Sequence, residues 1–390
     1  EGLVETEIHT MTKRQPTLKK KIAPEIASAK DEEKKIQPKS FTPPKEAKSV
    51  EPPDRFEEID IAKKKLQSKS ISQSSNKISS KRRKAVREAQ EVLISLKTFI
   101  DNLKDIDEYD RKRPWADELF LDLTQLEWGN AREEVSEILY KWGRFLLDHG
   151  KFSEGIERFW ELYEKFPDTR WHRQVFEELV ALQKPENMVF IPKGKTTITE
   201  NSKDFELAPY FLDIHLVTNA QYFEFVKDTG YPAPSHWIGE MYPIGKGNHP
   251  VVWVSAEDAI AYACWKEKRL PTEAEWENAA KGPECLLWPW GNGYESKRCN
   301  CREAGINDTT NVGQYEGGRS FHGCYDLAGN VWEWTESWYE SSQSHRVLKG
   351  GSWFSFEEYT STSYRYFDFP DSRKGIYGFR CCKTFERPVD

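Results

Sequence analysis

Three short motifs that each contain tryptophan follow one another along the C-terminal half of this chain. The first is Arg269-Leu-Pro-Thr-Glu-Ala-Glu-Trp-Glu277, and the second is Gly329-Asn-Val-Trp-Glu-Trp334. The third, Arg346-Val-Leu-Lys-Gly-Gly-Ser-Trp353, is followed after a short interval by Gly378-Phe-Arg380. The apolar runs between them are brief and broken by glycine, so from Met188 onward the pattern predicts short strands joined by long loops.

In this order and spacing, the motifs resemble those of the formylglycine-generating-enzyme family, also called the sulfatase-modifying-factor family. The resemblance covers about residues 188–385 and implies an α+β fold of the C-type-lectin-like type. Oxidase members of the family place two copper-binding cysteines just after the Gly-Gly-Ser motif. Those positions are Ser355 and Thr360 in this chain. Because Cu(I) prefers soft thiolate ligands, we expect no copper and no oxidase activity here.

Two other functions stay open. One is a metal-dependent oxidase or an iron-dependent sulfoxide synthase of the same superfamily, which residues 364–371 resemble in spacing. No two of the eight histidines stand four apart on a predicted helix, so an iron site is not expected. The other is a variable ligand-binding protein of a diversity-generating retroelement, since such proteins resemble this fold and diversify the corresponding segment. The sequence favours a non-catalytic binding or adaptor protein over both.

The second motif also resembles a calcium site of the family. Carboxylate and carbonyl oxygens are the ligands that calcium prefers in proteins. The resemblance implies carboxylates and carbonyls from Asp326, Gly329, Val331 and Glu333. A second family site would involve Asn300 and Asp308. The alternative for both sets is capping and hydrogen bonding within loops. We expect structural calcium at the first site.

The segment after the third motif is rich in aromatic residues separated by serine and aspartate. Rigid aromatic side chains with adaptable polar neighbours are typical of protein-binding surfaces. Part of this set must belong to the core, as strand alternation predicts for Trp353, Tyr364 and Phe379. The predicted ligand surface, with Tyr359 and Phe367 as its exposed anchors, consists of Phe354, Ser355, Phe356, Tyr359, Thr360, Tyr366, Phe367, Phe369 and Tyr377.

The N-terminal half differs from the C-terminal half in composition and periodicity. Residues 1–80 carry Pro-rich, Lys-rich and Ser-rich runs without sustained periodicity, which predicts a disordered basic arm. Residues 81–185 show helical periodicity, including a helix with an apolar face from Val92 to Leu103 and another over 115–128. Residues 138–167 resemble a tetratricopeptide repeat, with Gly143 at a close helix crossing and Gly150 at the turn. The lectin-like domain is predicted to occupy 186–390.

The charge distribution limits the kinds of partner to expect, and the cysteine content indicates the cellular compartment. Residues 1–90 hold 22 Lys and Arg against 14 Asp and Glu, a net charge of +8, which leaves −15 for the rest of the chain. We expect a protein partner for residues 1–185 and a protein or peptide ligand for the lectin-like domain, with nucleic acid disfavoured. Seven cysteines without a paired framework, and no long apolar run, predict a cytoplasmic protein that does not enter a membrane. A segment preceding Glu1 is left open.

Overall fold

The computed structural model describes residues 87, 90–124, 131–198 and 203–388. The predicted disordered arm and the basic run Lys81–Lys84 therefore lie outside the described residues. All described residues belong to one compact unit. Within it, the N-terminal half is helical and the C-terminal half is loop-rich with short strands. None of the helices in this part combines the length and apolar character needed to cross a lipid bilayer.

The helical half contains α1 (90–102), α2 (Ile106–Thr124), α3 (Arg132–Asp148), α4 (Phe152–Lys165) and α5 (Arg170–Gln183). Helix α1 buries Leu93, Leu96, Phe99 and Ile100, as its predicted apolar face requires. Helix α2 begins nine residues before the predicted start at 115. The reason is local, because the Asp105 carboxylate accepts a hydrogen bond of 2.8 Å from the backbone N–H of Glu108.

Helices α3 and α4 form a hairpin that depends on two glycines. A Cβ placed on Gly143 would lie 2.5 Å from the Phe159 ring, and one on Gly155 would lie 2.9 Å from the carbonyl oxygen of Gly143. The turn contains Gly150 with φ of +78°, a conformation that glycine adopts without strain. The predicted close crossing at Gly143 is therefore present. The likeness of this hairpin to a tetratricopeptide repeat stays a prediction.

The described part of the C-terminal half contains three small sheets. Strands β1 (Met188–Ile191), β4 (Tyr210–Asp213) and β9 (Cys382–Thr384) form an antiparallel sheet with β4 in the centre. Strands β2 (Gly194–Ile198) and β3 (Lys203–Leu207) pair with each other. The third sheet has the order β7-β6-β5-β8, with β5 at Trp332–Trp338, β6 at Arg346–Lys349, β7 at Tyr366–Asp368 and β8 at Tyr377–Gly378.

Three capped helices accompany these sheets: α6 (Asn219–Thr229), α7 (Ala256–Trp265) and α8 (Glu273–Lys281). Each begins with a capping box, in which a hydroxyl accepts from the third helical N–H and the side chain at that position accepts from the capping residue. The caps are Thr218, Ser255 and Thr272. In each helix the cap hydroxyl and the side chain that completes the box stand three residues apart in the sequence.

We expect Thr272→Ala to lower the free energy of unfolding by about 1 kcal/mol, the usual loss when an N-cap hydroxyl is removed. Chemical denaturation monitored by circular dichroism would measure this. Thr272→Ser keeps the hydroxyl and should stay close to the wild-type value. Equal losses in both variants would show that the cap contributes nothing and that the methyl group matters instead.

The core is continuous across the predicted domain boundary at residue 185. The Phe385 ring, just after β9, lies 5.1 Å from Trp160 of α4 and 5.8 Å from Phe176 of α5, measured between ring centroids. The same ring lies 5.5 Å from Phe190 of β1. Outside this cluster, Arg387 forms ion pairs with Glu157 and Glu164 of α4. The helices and the sheet β1-β4-β9 therefore pack through one shared aromatic cluster.

Candidate functional site

The hydroxyls of Ser355 and Thr360, at the positions where oxidases of the family carry cysteine, are buried and hydrogen-bonded within the protein. The backbone N–H of Ser352 donates to Ser355 Oγ over 3.0 Å. Thr360 Oγ1 donates to the carbonyl of Glu357 over 2.7 Å and accepts from Trp288 Nε1 over 3.2 Å. Both side chains therefore hold the loop in shape.

Four phenylalanine rings of the same segment point to solvent instead. They are Phe354, Phe356, Phe367 and Phe369, with between 38% and 54% of each residue exposed. The first two flank Arg302, whose guanidinium carbon lies 5.2 Å from the Phe354 ring centroid and 4.5 Å from that of Phe356. We call these three residues the first patch. Stacking on a guanidinium fixes the rings at low entropic cost.

The second patch consists of Tyr339, His345, Phe367 and Phe369. The Phe367 ring lies 4.1 Å from Tyr339 and 5.1 Å from His345, and the Phe369 ring lies 4.3 Å from His345. Its rings come from β7, from Phe369 just after it, and from the chain on either side of the β5–β6 turn. The patch therefore exists only when the third sheet is assembled.

The predicted ligand surface is wrong at three positions. Tyr377 is fully buried, because β8 pairs in parallel with β5 and its ring packs on Trp334 at 5.3 Å. Ser355 and Thr360 are buried for the reasons given above. Tyr359 and Tyr366 are half-buried, which leaves Tyr359 a weaker anchor than predicted. Phe367 is exposed as predicted, together with Phe354, Phe356 and Phe369.

The two carboxylates of the first predicted calcium set differ in their partners, because Glu333 forms an ion pair with Arg380 and Asp326 accepts hydrogen bonds from uncharged donors. Asp326 is buried, and its oxygens accept from the backbone N–H of Gly313 over 2.7 Å and from Asn330 Nδ2 over 3.4 Å. Burial raises the pKa of this carboxyl group, a shift that the hydrogen bond from Gly313 and the positive charge of Arg380 only partly offset. Arg380 forms its ion pair with Glu333 and not with Asp326, so a metal ion bound at Asp326 would relieve the cost of burying this carboxylate.

Glu333 is placed differently. Its two oxygens accept from Arg380 Nε over 2.6 Å and from Nη2 over 2.9 Å, and both side chains are fully buried. Burial raises the pKa of Glu333, whereas the guanidinium of Arg380 opposes the rise. An ion pair of this bidentate kind satisfies the carboxylate without a metal. Glu333 therefore fits calcium ligation less well than the family resemblance implies.

The second predicted set is linked to the first through Asn330. Asn330 N–H donates to the carbonyl of Asn300 over 2.7 Å, and Asn330 Oδ1 accepts from the N–H of Thr310 over 3.1 Å. Asn300 Oδ1 is buried without a hydrogen-bond partner among the described residues, which fits a site that accepts a cation. Asp308 instead pairs with Lys246 over 2.6 Å.

Sequence reasoning missed Asn330, Arg302, Tyr339 and His345. Asn330 lies within the second motif, and its φ of +62° is a signal that only coordinates reveal. The other three come from chain segments outside residues 353–377, so nothing in their local pattern indicates the contact. Within the described residues, no group of three or more His, Cys, Asp or Glu side chains is arranged to hold a metal ion.

Together these features define a loop-rich α+β domain with buried hydroxyls at the two oxidase positions and exposed aromatic rings beside them. The chain belongs to the sulfatase-modifying-factor family: the family model of the sulfatase-modifying factor enzyme 1-like domain matches residues 173–385, more than half of the chain. The domain has the C-type-lectin-like fold. The match begins inside α5, consistent with the shared aromatic cluster.

Proteins similar to this chain are named as an inactive enzyme, as an enzyme and as a kinase. Inactive C-alpha-formylglycine-generating enzyme 2 of Bos taurus is 31% identical over 270 residues, covering 52% of this chain and 89% of the relative. Formylglycine-generating enzyme of Thermomonospora curvata is 33% identical over 249 residues, covering 45% and 82%. Serine/threonine-protein kinase Pkn1 of Chlamydia trachomatis is 36% identical over 211 residues, covering 45% of this chain but only 33% of the kinase.

Two solved structures resemble about half of this chain at low sequence identity. Treponema denticola variable protein 1 aligns with a TM-score of 0.44 and 23% identity, over 50% of this chain and 94% of the other. PvdO from Pseudomonas aeruginosa aligns with a TM-score of 0.45 and 22% identity, also over 50% and 94%.

Proposed function

We propose that this chain is a non-catalytic binding protein, in which the lectin-like domain binds a protein or peptide through exposed aromatic rings. One observation carries the proposal. In the segment after the Gly-Gly-Ser motif, the hydroxyls at positions 355 and 360 are buried and hydrogen-bonded, whereas four phenylalanine rings of that segment face solvent. A reactive group must be reachable by its substrate, whereas Ser355 is 8% exposed and Thr360 fully buried.

The names of the similar proteins are compatible with a non-catalytic binding protein. A relative named as an inactive enzyme matches over most of its length, and so does one named as the enzyme. The choice between a binding protein and an oxidase therefore depends on the residues of this chain itself. Thiolates at 355 and 360 would favour an oxidase, and serine and threonine do not supply them.

The helical half would recruit a second partner. Residues 1–185 contain the predicted arm, which lies outside the described residues, and helices α1 to α5. Helical hairpins of this kind expose broad polar surfaces that commonly bind proteins. The adaptor role thus joins two binding regions in one chain. The aromatic patches are the better defined of the two binding regions, because the structure gives the distances between their side chains.

The proposal is tested by using the full chain as bait in native lysate. The wild type is compared with a variant in which Phe354, Phe356, Phe367 and Phe369 are all alanine. A protein retained by the wild type and lost by the variant supports the proposal, provided that circular dichroism shows the same fold. If every captured protein is retained equally by both, the aromatic surface is not the binding site.

We also propose that calcium stabilises the lectin-like domain, held around Asp326 with the carbonyls of Gly329 and Val331. Two observations support this: the buried carboxylate of Asp326 has a raised pKa, and Asn300 Oδ1 has no hydrogen-bond partner in the part of the chain that the structure describes. Calcium at a hundredfold excess over its dissociation constant should add about 2.7 kcal/mol of stability. At about 2–4 °C per kcal/mol, the value for a unit of 150–250 residues such as the lectin-like domain, that corresponds to a rise in Tm of roughly 5–10 °C.

Thermal unfolding in calcium and in chelator measures the shift. Asp326→Ala should abolish the calcium response, while Asp308→Ala tests whether the second set contributes. The same Tm for the wild type in both conditions would rule calcium out.

A further inference from the structure

The third sheet ends at β7, and the backbone of this strand has an open side. In the part of the chain that the structure describes, β7 stands at the edge of the order β7-β6-β5-β8 and pairs with β6 alone. An edge strand presents backbone N–H and C=O groups that can pair with another extended chain. The register of the sheet shows which residue of β7 presents them.

The two sides of β6 are distinguished by its contacts with β5. The N–H of Tyr339, just after β5, donates to the carbonyl of His345 over 2.9 Å. The carbonyl of Val347 accepts from Thr335 Oγ1 of β5 over 3.0 Å. Both acceptors lie at odd-numbered positions. The backbone groups of the even-numbered positions of β6 therefore point the other way, toward β7.

The pairing of β6 with β7 then fixes the direction of the groups in β7. Asp368 pairs with Arg346, and Tyr366 pairs with Leu348. These two residues of β7 therefore bond to β6, and Phe367 between them directs its N–H and C=O away from the sheet. Neither of these two groups has a hydrogen-bond partner among the described residues.

Phe369, the next residue of the chain that faces outward, differs from Phe367. Its N–H donates to Asp368 Oδ1 over 2.8 Å, and its carbonyl accepts from the N–H of Ser372 over 3.0 Å. The chain thus satisfies its own backbone at Phe369 and leaves Phe367 open. A donor and an acceptor on the same side of one extended residue match the backbone of a second extended chain.

We propose that an extended segment of a protein partner adds to this edge as a fifth strand and exchanges two backbone hydrogen bonds with Phe367. The proposal rests on the proposed binding function and specifies how the second patch holds its ligand. A residue opposite Phe367 places its side chain on the same face as the Phe367 ring. There it meets the second patch, in which the Phe367 ring lies 4.1 Å from Tyr339 and 5.1 Å from His345. This ligand residue is therefore apolar or aromatic.

A flexible segment fits this edge better than a second copy of the chain. Strand β7 has three residues, and the backbone groups of Phe369 are already used. A contact centred on so short a strand buries far less than the roughly 800 Å² per partner that a stable interface between two folded bodies needs. A peptide can instead follow both the edge and the second patch.

The test uses a phage-displayed library of short linear peptides, selected on the full chain, with one synthetic peptide from the selection as the probe. Its Kd is measured for the wild type, Phe367→Ala and Phe367→Pro. Both variants lose the ring, but only proline also lacks the backbone N–H. We expect Phe367→Pro to bind the probe about fivefold more weakly than Phe367→Ala, the value of one hydrogen bond. Proline is compatible with the fold at this position because an N–H that faces outward contributes no bond to the sheet.

Tyr366→Pro is the control for backbone direction, because the N–H of Tyr366 bonds to β6. It should lower the Tm more than Tyr366→Ala does, whereas Phe367→Pro and Phe367→Ala should have similar Tm values. Hydrogen exchange measured by NMR needs no variant. In the free wild type the Phe367 N–H should exchange much faster than that of Asp368, and the probe peptide should slow it.

Equal Kd values for the two Phe367 variants, both weaker than the wild type, would reject strand addition and keep the aromatic binding function. Kd values unchanged from the wild type in both variants would reject the second patch as a binding site as well. A Phe367 N–H that is protected in the free protein, or a selection that yields no binding peptide, would also overturn the proposal. Dimers of the wild type that dissociate in Phe367→Pro would assign the edge to a second copy instead.

Discussion

Replacing Arg380 with methionine should lower the free energy of unfolding by about 3–5 kcal/mol, the usual cost of leaving one partner of a buried ion pair uncompensated. The guanidinium holds both oxygens of Glu333 and also donates to the carbonyls of Asp213 over 3.1 Å and Tyr325 over 2.7 Å. Both charged groups are fully buried, so water cannot replace the lost contacts. Urea denaturation followed by tryptophan fluorescence measures the loss.

A control is available in Arg373, which makes a similar bidentate pair with Asp258 but is itself 44% exposed. Asp258 is buried but also accepts from the backbone N–H of Ser255 and from Tyr231 Oη. Arg373→Met should therefore cost clearly less than Arg380→Met, because water reaches this pair and Asp258 keeps other donors. The double variant Arg380→Met/Glu333→Met should lose less than Arg380→Met alone, because no buried charge remains unpaired. If Glu333 binds calcium, adding calcium should restore part of the loss in Arg380→Met. Equal losses for Arg373→Met and Arg380→Met would contradict the account of the core.

Alanine at a central ring of the ligand surface should weaken partner binding by about 2 kcal/mol or more, which is roughly a 30-fold rise in Kd. We expect this for Phe354 and Phe356 if the first patch is the centre, and for Phe367 and Phe369 if the second is. The effect should fall on one patch more than on the other, since large losses cluster near the middle of an interface. Titration with the captured partner gives the Kd of each single variant.

The control for these single variants is Phe152, an exposed ring on α4, far from both patches in the sequence. Phe152→Ala should leave the Kd of the lectin-domain partner unchanged. Losses spread evenly over all four surface rings and Phe152 would indicate nonspecific hydrophobic association.

Local features of the fold were predictable from sequence because their causes lie within a few residues. The capping boxes at Thr218 and Thr272 each use a hydroxyl and a side chain three residues later. The crossing at Gly143 follows from the absence of a side chain where two helices meet. The three ordered motifs made the family and its fold predictable, as the match to residues 173–385 confirms.

The candidate site was only partly predictable because its contacts join distant segments. Nothing near Phe354 in the sequence indicates Arg302, which lies some fifty residues earlier. Tyr377 was predicted on the surface, but a two-residue strand gives no alternation pattern, and pairing with β5 decides its burial. From the sequence, Ser355 and Thr360 are expected on the surface because their side chains are polar. Their burial follows from contacts with Ser352 and Trp288, which only the structure shows.

The central claim is that positions 355 and 360 shape a loop and do not perform a reaction. Partner capture by the double variant Ser355→Ala/Thr360→Val tests this most directly, because valine keeps the volume of threonine while removing its hydroxyl. We predict a lower Tm, since internal hydrogen bonds are lost, and capture equal to that of the wild type under conditions where the variant is folded. Loss of capture by the folded double variant, with all four phenylalanine rings intact, would contradict the account and point to a functional site at the two hydroxyls.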